Sequence, residues 1–169
     1  INVDFIVCDG FNLPIKNEIR FDFIHSAYVL HHLIGLTKGK SLNLVVIFLR
    51  ILRQRLSDNG ILIIQEDYYD SYVIPSLTSG LLFYMLKLFN FLKLDISALI
   101  KEFQLGLEVN FMHTLEIKNV LEQLEGKVRM IGKDRWVIPL VGRMLLLKDQ
   151  GSVTFTFKLR NKQRIEKIE

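Results

Sequence analysis

The segment Leu42 to Leu56 (LNLVVIFLRILRQRL) is apolar almost all round until Arg50, Arg53 and Arg55, and a tetrapeptide breaker separates it from the apolar run Ile61 to Ile64. A helix of that composition must be covered on several sides, and a short β-branched run bounded by turn residues reads as a strand buried on both faces. Helix followed by strand is the alternation of an α/β fold. Ser41 is the expected N-cap, the arginines suit the negative end of the helix dipole, and Asn59 or Gly60 is expected to close the helix in the left-handed conformation. Upstream, Asp4 to Cys8 (DFIVC) predicts a strand that ends at Asp9-Gly10. A loop through Leu13-Pro14 to Glu18 then leads to a second strand over Phe21 to Ala27 (FDFIHSA). The strand over Ile61 to Ile64 ends at Gln65-Glu66-Asp67.

From Ser71 to Leu94 the pattern changes. Ten apolar residues between Leu81 and Leu92 are interrupted only by Lys87 and Asn90. A membrane span needs about 20 mostly uncharged residues, and Pro75, Ser76, Thr78, Ser79, Gly80 and Lys87 leave too short a run. A core helix and a helical insertion covering an apolar substrate pocket both remain open. Asp95 to Phe103 predicts a second helical piece. Thr114 is the expected cap of a helix whose Ile117, Val120, Leu121 and Leu124 follow i, i+3, i+4, i+7 spacing, with Gly126 as its stop. Val128 to Ile131 predicts a short strand, and Pro139 and Gly142 break any regular element in Trp136 to Leu147. Ser152 to Leu159 (SVTFTFKL) alternates with period two, the pattern of an antiparallel strand.

With 169 residues the chain has the size of one domain, and 50% apolar content excludes a disordered chain. The single cysteine, Cys8, permits neither an internal disulfide nor a cysteine zinc site, which points to a reducing, cytoplasmic setting. Cys8 is expected to be buried in its strand. A net charge of +4 is too mild to indicate nucleic acid. There is no HExxH, no Cys/His cluster and no GxxxxGK[ST] loop, so metal-hydrolase and P-loop chemistry find no footing.

An open α/β sheet binds ligands at the carboxyl ends of its strands. Three such places occur: Asp9-Gly10-Phe11, Ser26-Ala27-Tyr28 running on to His31-His32, and Glu66-Asp67. A strand-end carboxylate can accept a hydrogen bond from an exocyclic amine, and a following glycine lets the backbone approach a planar ring. Asp9-Gly10 alone is also a common turn. The succession Asp9, Leu13-Pro14, Phe21-Asp22, Val29-Leu30-His31-His32-Leu33 and then Asp58-Asn59-Gly60 before Ile61 to Ile64 resembles the class I S-adenosylmethionine-dependent methyltransferases, most closely their small-molecule, type 11-like branch. The likeness is good over Val3 to Glu66 and looser beyond.

The resemblance implies a Rossmann-like, doubly wound, mostly parallel sheet with an antiparallel last strand. It implies a methyltransferase domain over residues 1–160 that lacks its first two strands, with a helical insertion at about 72–112 and a polar tail at 161–169. It further implies that Asp9 hydrogen-bonds the adenine amine of S-adenosylmethionine, that Gly10 and Phe11 lie along the ring, and that Ser26 and Ala27 touch the methionine part through their backbone. His32 falls where the family usually carries its histidine. Two positions depart from the family pattern: its Pro-Gly-Gly is Asp58-Asn59-Gly60 here, and Gln54 stands where an arginine is common. The glycine-rich loop and the ribose-binding acid of the family would precede Ile1, so the chain alone is expected to hold the cofactor poorly and to be inactive.

In-line methyl transfer draws mainly on positioning and desolvation, and needs a base only when the acceptor must lose a proton. His32 is the first candidate, His31 the second, and Glu66 could face the same pocket; each also has a purely structural reading. The apolar insertion suggests a small, partly apolar acceptor bounded by Tyr28, Phe83 and Phe89. Two alternatives stand beside this reading. A nicotinamide-dependent oxidoreductase would show a GxGxxG fingerprint, which the chain lacks. A non-catalytic protein that touches a membrane surface would float with liposomes.

Overall fold

A computed structural model describes residues 7–95, 97, 105–138, 140–144 and 146–159. The element order is β1 (Phe21–Ala27), α1 (Lys38–Gln54), β2 (Leu56–Ser71), α2 (Pro75–Phe91), α3 (Thr114–Glu122), β3 (Gly126–Arg135), α4 (Leu140–Met144) and β4 (Leu147–Leu159). The strands form one sheet in the order β1-β2-β4-β3. β1 and β2 are parallel, whereas β4 is antiparallel to both β2 and β3. Three strands therefore run one way and the last returns between the second and third. This is the Rossmann-like arrangement, with a reversed last strand, that the resemblance implies.

Alternation fixes which face is covered. On β2, Leu62, Ile64, Glu66 and Tyr68 are buried. The register sets Leu62 opposite Phe157, Ile64 opposite Phe155 and Glu66 opposite Val153, so one face of the sheet gathers the main core. Val45, Phe48, Leu49 and Leu52 of α1 and Ile117, Val120 and Leu121 of α3 pack into the same core. The predicted i, i+3, i+4, i+7 face of α3 is thus its buried face. Tyr69 has the opposite parity on β2 and belongs to a second core with Leu82, Phe83 and Leu86 of α2, Val109, Phe111 and Leu147. On its outer side α2 leaves Leu77, Leu81, Tyr84, Leu88 and Phe91 exposed. No helix among the described residues is long and apolar enough to cross a membrane.

Several boundaries differ from expectation. The strand expected over Asp4 to Cys8 falls mostly outside the described residues; Val7 and Cys8 have no regular structure, and Cys8 is exposed rather than buried. The helix expected over Asp95 to Phe103 also falls largely outside them. α1 starts earlier, capped by Thr37, whose side chain accepts from Lys40 N; Ser41 lies inside the helix, where its hydroxyl accepts from Gly35 N. Neither Asn59 nor Gly60 takes a positive φ. Ser57 to Gly60 instead form an irregularity within β2, between the pairs Phe21–Leu56 and Phe23–Ile61. His113, not Thr114, caps α3, accepting from the N–H groups of Leu115 and Glu116 in a reciprocal box with the Glu116 side chain. Gly126 opens β3 rather than ending the helix, and a Cβ there would lie 2.0 Å from the Phe157 ring. β2, β3 and β4 all extend further than predicted because each pairs along most of its length.

Candidate functional site

The parallel pairing of β1 with β2 ends at Ala27 opposite Gln65, and the chain turns across that edge. Tyr28 makes the turn with φ 56°, an uncommon conformation for a bulky residue. Its N–H donates to the Gln65 carbonyl at 2.8 Å, and its hydroxyl accepts from Gln65 Nε2 at 2.8 Å, so the strained residue is held at both ends. Leu30 to His32 then form a single 3₁₀ turn.

Glu66 fastens that turn. It is 0% exposed, and its carboxylate accepts from Leu30 N at 2.6 Å, from Asp67 N at 2.9 Å and from His31 Nδ1 at 2.5 Å. A buried carboxylate needs such partners to remain charged. Burial works against a charged His31 ring, but the hydrogen bond and charge of Glu66, helped by Asp67, outweigh it and raise the His31 pKa above its ordinary value. Because Nδ1 faces the carboxylate, the neutral ring carries its proton there and leaves Nε2 as the basic nitrogen. The His32 ring lies 4.0 Å from that of His31. Burial and the neighbouring His31 charge lower its pKa, against a smaller opposing pull from Glu66.

Ser26, one turn of the pleat back on β1, is buried, and its hydroxyl has no hydrogen-bond partner. Ala27 is half-buried beside it. Asp9 is exposed in the loop before β1, and its Oδ1 accepts from Phe11 N at 2.9 Å. Gly10 lies against Phe48 of α1, where a Cβ would come within 3.0 Å of that ring, and Phe11 meets the same ring edge-on at 6.0 Å. Phe83 is 1% exposed within the second core and Phe89 packs against it half-buried, so both stand behind the surface of α2.

The structure thus joins Ser26, Ala27, Tyr28, His31, His32 and Glu66 at one strand edge, while Asp9, Gly10 and Phe11 sit on the side of α1 that carries Phe48. Two features escaped the sequence reading. His31, rather than His32, is bonded to Glu66, and Glu66 is fully enclosed rather than a solvated strand end. The opposite parity of Glu66 and Gln65 on a strand whose even positions are apolar was the available signal. A second network ties the insertion to this edge. Asn110 N donates to the His31 carbonyl at 2.7 Å, and Lys38 Nζ bridges Asn110 Oδ1 at 3.0 Å and Glu116 Oε2 at 3.3 Å. Among the described residues no cluster of three or more His, Cys, Asp or Glu could hold a metal ion.

No family model matches the chain, and no curated protein does. Similar solved structures include the YcgJ protein of Bacillus subtilis, with TM-score 0.49 and 12% identity over 90% of this chain and 69% of that chain. The CurJ carbon methyltransferase gives TM-score 0.39 and 17% identity over 83% of this chain and 30% of that chain. A structure described as the conversion of a disulfide bond into a thioacetal group during echinomycin biosynthesis gives TM-score 0.43 and 14% identity over 97% and 59%. The chain spans less than two thirds of the latter two.

Proposed function

We propose that this chain forms the C-terminal part of a class I S-adenosylmethionine-dependent methyltransferase domain acting on a small, partly apolar acceptor in the cytoplasm. The observation that carries the reading is topological: a reversed last strand lies between two strands of one direction, in a chain whose motif succession implies that arrangement. The residues present suit the cofactor. The unpartnered Ser26 hydroxyl lies at the strand edge, the exposed Asp9 carboxylate is available to an amine, and a glycine and an exposed aromatic follow it.

When bound, S-adenosylmethionine supplies an electrophilic methyl group for in-line displacement. In this reading Asp9 selects the adenine amine, Gly10 and Phe11 flank the ring, and Ser26 and Ala27 orient the methionine portion. Where the acceptor must be deprotonated, His31 Nε2 takes the proton, with Glu66 fixing the ring and stabilising the cation that forms. The exposed His32 ring lies beside it, and Tyr28 bounds the acceptor side from the strand edge, while Phe83 and Phe89 belong to the second core under α2. Calorimetric titration with S-adenosylhomocysteine, in the protein that includes the first two strands of the domain, tests this. Saturable binding is expected, weakened about tenfold or more by Asp9→Ala, since a hydrogen bond to a charged group contributes about 1.5–3 kcal/mol. Absence of binding, or an unchanged affinity in Asp9→Ala, would count against it.

A further inference from the structure

Lys38 and Lys133 are half-buried, and each meets a carboxylate: Lys38 lies 3.3 Å from Glu116, and Lys133 lies 2.9 Å from Asp70 and 3.3 Å from Asp149. Lys87 is half-buried on α2 and has no such partner among the described residues. Its ammonium donates to the Gly35 carbonyl at 3.0 Å and lies 5.2 Å from the centre of the Phe83 ring. A dipole and a π face orient the charge without neutralising it, and among the described residues no carboxylate, that of the exposed Glu108 included, forms an ion pair with it. Lys87 lines a cavity of about 550 Å³ between α1 and α2, together with Ile34, Leu36, Lys40, Leu44 and Glu108. That volume is ordinary for a small-molecule site, where apolar walls carry a few polar groups that set orientation.

We propose that this cavity binds a small amphipathic monocarboxylate. The carboxylate pairs with Lys87, Lys40 adds a second cation at the rim, and the hydrocarbon part lies along Ile34, Leu36 and Leu44. Glu108 on the same wall offsets one of the two lysines, so the lining is matched by a single negative charge rather than by two. The cavity begins at Ile34, three residues beyond His31. Naming the ligand as the methyl acceptor rests on the methyltransferase reading; its binding does not.

The test is titration of the chain with decanoate and with decanol, both below their aggregation limits, followed by calorimetry and by amide chemical shifts. Decanoate is expected to bind at least about tenfold more tightly than decanol, as a sheltered charge-assisted pair implies. Lys87→Met should abolish that preference, Lys87→Arg should keep most of it, and amide shifts should centre on residues 34–44 and on Lys87. Equal affinity for acid and alcohol, shifts elsewhere, or decanoate binding unaltered by Lys87→Met would overturn the proposal. Should Lys87→Met fail to fold by circular dichroism, the acid-to-alcohol ratio of the unsubstituted chain decides. Decanoate binding in a protein that includes the first two strands of the domain and still ignores S-adenosylhomocysteine would uphold the cavity and reject methyl transfer; the converse result would do the opposite.

Discussion

Glu66 shows how much one side chain can organise. Its carboxylate is the acceptor for two backbone N–H groups and one ring nitrogen, so Glu66→Ala leaves three donors without a partner and is expected to cost about 1–3 kcal/mol. Glu66→Gln preserves the shape but removes the charge that raises the His31 pKa. The histidine pKa should then fall, as read by the pH dependence of the His31 ring resonances; an unmoved titration would show that Glu66 does not set it. The sign for stability follows. A raised folded pKa gives His31 a contribution that is complete below about pH 6.5 and is lost as pH rises through the folded value. Glu66→Gln should flatten that decline. From the sequence, Glu66 was visible as a strand-end acid and His31 as one of two adjacent histidines. Their pairing was not, because it depends on Tyr28 taking a left-handed turn that no local rule assigns to tyrosine.

At the level of elements, the strands and the apolar faces were legible and the ends were not. Period two in Ser152 to Leu159 and the i, i+3, i+4 spacing of Ile117, Val120 and Leu121 are direct consequences of strand and helix geometry, and both reappear as buried faces. The caps went astray because Thr37 and Ser41, or His113 and Thr114, are close alternatives whose choice depends on which side chain reaches a free N–H. The Ser57 to Gly60 breaker has the composition of a left-handed stop, but pairing with β1 absorbs it into β2. The His113 cap has its own pH signature. Burial lowers the His113 pKa, against the pull of Glu116 and Asp70 and with a small push from Lys38. Protonating Nδ1 would remove the acceptor that holds Leu115 N and Glu116 N. Its contribution is therefore present above about pH 6.5 and is lost as pH falls through the lowered folded value. His113→Ala should cost about 1 kcal/mol in denaturant unfolding at pH 8 and much less at pH 5, while His113→Asp should retain the cap. An equal loss for His113→Ala at both pH values would contradict this.

Across the whole molecule, one sheet with α1 and α3 on a single face brings the ends of β1 and β2 to a common edge, and the segment after β1 is stitched over it by Glu66 and Asn110. Residues far apart in sequence meet there because the parallel pairing of β1 with β2 puts both carboxyl ends at one edge. The role of α2 was less readable: its composition alone could not distinguish a core helix from a cover. The structure gives it one face toward Tyr69 and Phe111 and another bearing Leu81 and Leu88 outward. The claim on which the account turns is that the strand edge and the Asp9 loop share one adenosyl ligand. Amide chemical shifts recorded while S-adenosylhomocysteine is added to the protein that includes the first two strands of the domain test it most directly. The account predicts that Gly10, Phe11, Ser26 and Ala27 shift together with one saturation curve; shifts confined to residues away from both places, or two unrelated curves, would contradict it.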